Sequence, residues 1–209
     1  MQDPQRLRFV ASRFNHLQGL VAVPPGAALA INALLAIRSP GHSVLSTPLQ
    51  ALVLAVGLLA GLAFIPYYRR TFGQVHPAPW TRTRDARAAG IFIAIGLVWF
   101  GVVIGFQLPE SLGLVGLGAA FGGIVLANAK RYGGLQLLWA TWAAAITGIG
   151  LLSLLGLLPD TPTGKLSSQS GLNWSQLAWG LAWVVGGILD HLVLVRTMRS
   201  AQVADGSAV

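Results

Sequence analysis

Six runs of apolar residues, separated by short polar stretches, dominate the pattern along the chain. Most are near 20 residues, about the length that an α-helix needs to cross the hydrocarbon core of a bilayer. The pattern therefore predicts an all-α protein, a polytopic six-helix transmembrane bundle within residues 17–199. The predicted spans lie at about 17–37, 48–68, 88–106, 112–129, 134–158 and 174–195.

The segments that flank this membrane domain differ from it in pattern. Residues 1–16 lead into the first run and carry arginines, with apolar residues recurring at helical spacing: Leu7, Val10, Ala11, Phe14 and Leu17. This pattern predicts a short basic amphipathic helix on the inner membrane surface, although an early start of the first span gives the same spacing. Pro24-Pro25-Gly26 is expected to kink or break the inner third of the first span. Residues 200–209 are small and polar, so a disordered tail is expected.

Composition supports a membrane location. Hydrophobic residues make up 54% of the chain and charged residues 10%, whereas about 25% of residues are charged in a typical soluble domain. The formal net charge is +8, but the basic residues lie between the apolar runs, which favours a topological role over nucleic-acid binding. The chain has no cysteine, which excludes disulfides and thiolate metal sites.

The distribution of lysine and arginine predicts the orientation. If the N-terminus is cytoplasmic, 12 of the 14 basic residues fall on the inner side, and only Arg38 and Lys165 fall outside. This asymmetry obeys the positive-inside rule, so both termini are expected in the cytoplasm. Arginine far outnumbers lysine, as is typical of GC-rich bacterial genomes, and we therefore expect the plasma membrane of a bacterium.

Asp190 is the only acidic residue inside any predicted span, and His191 follows it. An ionisable group in a membrane is a functional candidate by default, because the bilayer penalises charge. One interpretation is a proton or substrate site. The other is a structural ion pair that fixes the sixth helix, with one of four basic partners: Arg69, Arg70, Lys130 or Arg131.

Small residues recur at a spacing of four within the spans, a pattern typical of closely packed membrane helices. The predicted packing positions are Gly57, Gly61, Gly101, Gly105, Gly118 and Gly122, with Ala178, Ala182 and Gly186 on a ridge that ends at Asp190. These faces serve packing within one protomer or between copies. Asn32 is expected to form a hydrogen bond to another helix, because a buried amide needs a partner.

The longest polar connection carries five arginines: Arg69, Arg70, Arg82, Arg84 and Arg87. Arginines this close to a bilayer attract anionic lipid and can also dock an acidic partner, although fixing the topology would by itself explain them. The histidines show no short metal-ligand spacing, so neither a metal nor a cofactor is predicted. Four tryptophans suggest either a ligand pocket or simple packing: Trp139, Trp142, Trp179 and Trp183.

These observations favour a non-enzymatic accessory or scaffold subunit of a membrane complex. Its expected partners are anionic inner-leaflet lipids and a membrane or cytoplasmic protein, with no nucleic acid. The alternative is a small-solute transporter or a substrate-binding membrane subunit. A membrane enzyme has the least support, because acid–base or covalent catalysis needs positioned groups that are scarce in this sequence.

Overall fold

All regular structure in the described part of the chain is helical, which confirms the all-α prediction. The computed structural model describes residue 14 and residues 17–38, 47–72, 90–91, 94–99, 101–132 and 135–206. A 3₁₀ turn, Gly19–Val21, precedes the first long helix. The long helices are α1 (Val23–Arg38), α2 (Pro48–Phe72), α3 (Glu110–Tyr132), α4 (Leu137–Leu154) and α5 (Gln169–Gly206).

Within the described ranges, five segments are long and apolar enough to cross a membrane: Gly19–Arg38, Pro48–Phe72, Glu110–Lys130, Leu137–Leu154 and Gln169–Met198. The third predicted run contains a shorter apolar helix, Ala94–Gly105. Large apolar side chains are exposed along α2, among them Leu52, Leu59 and Leu62. Helices with such exposed apolar surfaces are suited to lipid, where every backbone polar group is satisfied within the helix.

Two helix boundaries differ from the pattern of apolar runs. The first run is divided at Ala22, where the 3₁₀ turn gives way to α1. Pro24 and Pro25 therefore lie in the first turn of α1, where a missing N–H removes no hydrogen bond. Helix α5 continues to Gly206, past the predicted start of the tail. No proline or glycine stands between Gly187 and Gly206 to break it.

The start of α2 is fixed by a reciprocal cap. The Thr47 hydroxyl accepts the Gln50 N–H at 3.3 Å, and the Gln50 side-chain oxygen accepts the Thr47 N–H at 3.2 Å. Pro48 between them occupies the first helical position, which its fixed φ favours. The Asn32 side-chain amide donates to the Gln50 carbonyl at 2.7 Å, so α1 and α2 are joined by the interhelical bond expected of Asn32.

The helices pack in the spatial order α2, α1, α5, α4, α3. Trp99, in the Ala94–Gly105 segment, lies against Gly116 of α3 and donates its indole N–H to the Gly113 carbonyl at 2.8 Å. This segment therefore lies beside α3, which is the last helix in this spatial order and the one farthest along it from α2.

The connection before α5 is folded against the start of α3. The Glu110 carboxylate accepts the Leu166 N–H at 3.0 Å, the Ser167 N–H at 2.7 Å and the Ser167 hydroxyl at 2.9 Å. The Ser111 N–H donates to the Gly164 carbonyl at 3.2 Å. Two connections that the charge distribution assigns to the same side of the membrane, 107–111 and 159–173, thus meet at one end of the molecule.

Candidate functional site

Asp190 is fully buried in α5, and its carboxylate lies at the start of α4. The Leu137 N–H donates to Oδ1 at 2.8 Å, and the Leu138 N–H donates to Oδ2 at 3.1 Å. The hydrogen-bond partners that the structure describes for Asp190 are thus two backbone amides. The sequence had suggested a basic side chain. Lys130, one of the suggested basic partners, is exposed near the end of α3.

The first N–H groups of a helix have no acceptor within that helix, and they carry a partial positive charge. In a soluble protein, water or a local side chain satisfies them. Within a bilayer neither is assured, and an unsatisfied polar group costs several kcal/mol. The Asp190 carboxylate supplies both an acceptor for two of these groups and a negative charge at the positive end of α4. It therefore caps α4 from another helix.

Close helix approach brings the carboxylate to this position. A side chain at Gly186 would collide with Leu138 and Thr141 of α4, so only glycine permits the observed separation. The Thr141 hydroxyl is 3.1 Å from the Ala182 carbonyl and 2.9 Å from that of Leu138, and it can donate to either. The ridge formed by Ala182, Gly186 and Asp190 thus packs directly on the first turns of α4. Ala178, further along, packs on an apolar cluster with Ile149.

His191 joins a second polar contact, one that links α5 with α2 and with the 3₁₀ turn. The Tyr68 hydroxyl is 2.9 Å from His191 Nδ1, and it accepts the Leu20 N–H at 3.1 Å. Since the hydroxyl has a single proton, it can donate that proton to Nδ1 while it accepts from Leu20. This arrangement suits a neutral imidazole that carries its proton on Nε2.

Apolar side chains surround this contact. Phe14, Leu17, Tyr68 and Leu194 form a buried cluster, with Phe72 and Met198 packed around it. The Tyr68 ring stacks on Phe72 with centroids 5.9 Å apart and meets His191 edge-on at 5.7 Å. The end of the predicted amphipathic segment, at Phe14 and Leu17, is therefore buried against α2 and α5. Residues 1–13, 15 and 16 lie outside the described residues.

The replacement Tyr68→Phe is expected to lower the thermal midpoint of unfolding, because it leaves the Leu20 N–H and His191 Nδ1 without this hydroxyl. A buried donor or acceptor that loses its partner costs about 1–3 kcal/mol. Thermal unfolding in detergent, followed by circular dichroism, measures the change. Tyr67→Phe is the matched control, because Tyr67 is 40% exposed. Equal midpoints for the two variants would contradict a role for the Tyr68 hydroxyl.

The arginine group is only partly described. Arg69 and Arg70 are exposed in the last turn of α2. Arg82, Arg84 and Arg87 lie outside the described residues, as do His16, His42 and His76. Within the described ranges, no group of three histidine or acidic side chains is arranged to hold a metal ion.

The predicted glycine positions divide into two groups. An added Cβ on Gly57 would lie 2.6 Å from Ala28 Cβ in α1, and one on Gly61 would lie 2.5 Å from the Val21 carbonyl oxygen in the 3₁₀ turn. Gly118 faces Thr147 of α4, and Gly122 faces Ala143 more loosely, at 3.7 Å. By contrast, Gly101 and Gly105 have no described atom within 4 Å of an added Cβ. The Gly101–Gly105 face therefore does not pack against any described part of this chain.

A further close glycine contact joins α5 to α1 and to the preceding 3₁₀ turn. An added Cβ on Gly180 would lie 2.6 Å from the Ala30 nitrogen and 2.7 Å from the Gly26 carbonyl oxygen. One on Gly187 would lie 2.5 Å from the Gly19 carbonyl oxygen. The prediction from small residues spaced four apart did not include these glycines. Their sequence signal is a spacing of seven, which Gly19 and Gly26 share with Gly180 and Gly187.

The tryptophans pack mainly against one another and against backbone. Phe121, Trp139 and Trp142 meet edge-on, with centroids 5.8 to 6.1 Å apart, and Trp142 lies 6.1 Å from Trp179. Trp183 packs at Gly26 of α1. These rings join α3, α4 and α5, which is the packing role considered from the sequence.

In the part of the chain that the structure describes, the fold is all-helical, five helices are long and apolar enough to cross a membrane, and polar contacts tie those helices together. The chain matches no protein-family model, no curated protein and no solved structure. Its function must therefore be argued from its own residues.

Proposed function

We propose that the chain is a six-span protein of a bacterial plasma membrane, with both termini in the cytoplasm. Five of the spans would be the five long helices. The remaining span would be the third apolar run, at about 88–106, which contains the Ala94–Gly105 helix. The excess of arginine and lysine in the segments assigned to the inner side supports this orientation. The contact of Glu110 with Leu166 and Ser167 supports the crossing of the membrane by both α3 and α4, because two crossings return the chain to the same side.

A reporter fused after Gly73 is expected to give a cytoplasmic signal, and one fused after Gly164 a periplasmic signal. The physical reason is that the arginine-rich connection resists translocation, whereas the 159–173 connection carries a single lysine. Paired alkaline phosphatase and green fluorescent protein fusions measure this. A cytoplasmic signal after Gly164 would contradict the proposed topology.

We propose that this protein is a non-enzymatic accessory or scaffold subunit of a membrane complex. The observation that carries the proposal is the environment of Asp190. Both carboxylate oxygens accept backbone N–H groups at the start of α4, so this membrane-embedded acid has a structural task. His191 likewise contacts Tyr68 and so helps to join α5 to α2. These contacts support a structural role for the two polar groups that were the candidates for a proton or substrate site.

Two exposed surfaces favour assembly with other molecules. Arg69 and Arg70 present positive charge at one end of α2, where anionic lipid or an acidic protein segment would bind. Gly101 and Gly105 lie on the Ala94–Gly105 helix beside strongly exposed Leu97, Val98 and Ile104. Two glycines four residues apart allow another membrane helix to approach closely. A neighbouring subunit would use that face.

Purification of the whole chain from its native membrane in a mild detergent, followed by intact-complex mass spectrometry, tests this function. A second protein in fixed stoichiometry is expected, and Gly101→Leu should release it by blocking close helix approach. Ala55→Leu is the control, because Ala55 is also exposed but lies on α2, away from the Gly101–Gly105 face. A lone chain that carries a small solute would contradict the scaffold proposal and favour transport.

A further inference from the structure

Helices α3 and α4 enclose an apolar groove of about 610 Å³ along their outer surface. Small residues form both walls, with Gly122 and Gly123 on α3 and Ala144 and Gly148 on α4. Added Cβ atoms on Gly123 and Gly148 would meet no atom within 4 Å, so the groove is open at these positions. The Thr147 hydroxyl in the wall donates its proton to the Ala143 carbonyl at 2.9 Å, so this proton is not available to a molecule in the groove.

The groove runs along both helices. Its lining on α4 extends from Ala140 to Leu151, and Leu135 lengthens it beyond the start of the helix. At a rise of 1.5 Å per residue, the α4 wall from Ala140 to Leu151 is about 17 Å long. A groove of this length has room for an extended hydrocarbon chain lying along the two helices.

A positive charge stands at one end of the groove. Leu126 lines the groove on α3, and Lys130 follows it by four residues, so the two share a helix face. Lys130 is exposed. Leu135, at the same end of the groove, follows α3 by only a few residues. An amphipathic molecule with an anionic head and an apolar chain would match both the charge and the shape.

We propose that the α3–α4 groove binds one anionic glycerophospholipid, with an acyl chain along Gly122, Gly123, Ala144 and Gly148 and its phosphate at Lys130. The choice of a phospholipid rests on the apolar groove leading to the exposed positive charge of Lys130, as in basic sites between membrane helices that bind lipid headgroups. The leaflet follows from the proposed orientation, which places Lys130 in the cytoplasmic leaflet. Binding itself does not depend on that orientation or on the scaffold function.

The test uses the full-length chain in detergent with an equimolar mixture of dioleoyl phosphatidylglycerol and dioleoyl phosphatidylcholine, and native mass spectrometry counts the bound lipid. Gly148→Leu is expected to fill the groove and remove most of the bound lipid. Gly123→Leu, on the opposite wall, should give the same loss. Ala55→Leu is the control, since Ala55 is an exposed small residue on α2 that lies outside the groove, and this variant should retain lipid.

A second variant, Lys130→Gln, tests whether the positive charge at the end of the groove selects an anionic lipid. This variant should lower the preference for phosphatidylglycerol over phosphatidylcholine by about fivefold, the effect of one lysine near an anionic surface. Unchanged lipid retention in both groove variants, with a normal thermal midpoint, would overturn the proposal. If Gly148→Leu and Gly123→Leu abolished a dimer but kept the bound lipid, the proposal would also be overturned, and the groove would be assigned to a second copy of the chain. Partner release by Gly101→Leu tests the scaffold function separately.

Discussion

Replacing Asp190 with alanine is expected to lower the free energy of unfolding by about 2–4 kcal/mol, because two buried helix-start N–H groups lose their acceptor. The loss falls on α4, whose first turn is held to α5 by these two bonds. The thermal midpoint and the monodisperse fraction in detergent measure the effect. Both should fall, and the backbone amides of Leu137 and Leu138 should exchange hydrogen faster.

Asp190→Asn separates the hydrogen bonds from the charge. Asparagine retains one carbonyl acceptor but lacks the negative charge that favours a helix N-terminus, so an intermediate loss of stability is expected. Asp160→Asn is the matched control, because Asp160 is exposed in a turn at φ 54°, a conformation that asparagine tolerates. If Asp190→Asn matched Asp160→Asn in stability, the capping role would be wrong and a proton site would regain support.

Gly180→Ala is expected to separate α1 from α5 and to destabilise the protein by about 1–3 kcal/mol or more, as overpacking does in a close-packed interior. The added methyl group would meet the Ala30 nitrogen and the Gly26 carbonyl oxygen, and backbone atoms cannot move aside as a flexible side chain can. The thermal midpoint in detergent measures the change. Gly187→Ala should behave alike, because it would meet the Gly19 carbonyl.

Gly148→Ala controls for the effect of the methyl group itself. Gly148 is helical and open, so alanine there adds no collision and should gain up to about 1 kcal/mol from helix propensity. The two substitutions are chemically identical and differ only in surroundings. Similar midpoints for Gly180→Ala and Gly148→Ala would mean that the α1–α5 contact is looser than the structure shows.

The sequence predicted the helical class and the approximate limits of five long helices, because a run of apolar residues of bilayer length has few alternatives to a helix. The sequence was less informative about the residues at which the helices begin and end. The apolar pattern does not mark the division at Ala22, but Pro24-Pro25-Gly26 was expected to kink or break this part of the run, and the division lies just before these residues. The extension of α5 beyond the membrane-length stretch depends only on the absence of a helix breaker before Gly206.

The candidate site shows the same division. Asp190 stood out because it is the only acid within a span, but its partners are backbone amides of Leu137 and Leu138, and backbone N–H groups leave no mark on a sequence. Tyr68 was not predicted to take part in the site. Its contact with His191 joins residues far apart in the chain, and no local pattern encodes such a pairing.

The sequence by itself thus determined that this chain forms membrane-length helices, and it marked Asp190 as the residue in need of explanation. Only the tertiary structure decided which glycines contact the backbone of another helix and which helix Asp190 caps. It also showed that Gly101 and Gly105 contact no described part of the chain. The physical reason is that apolar length and charge are properties of a segment alone. Close approach and hydrogen-bond partners are properties of two segments brought together.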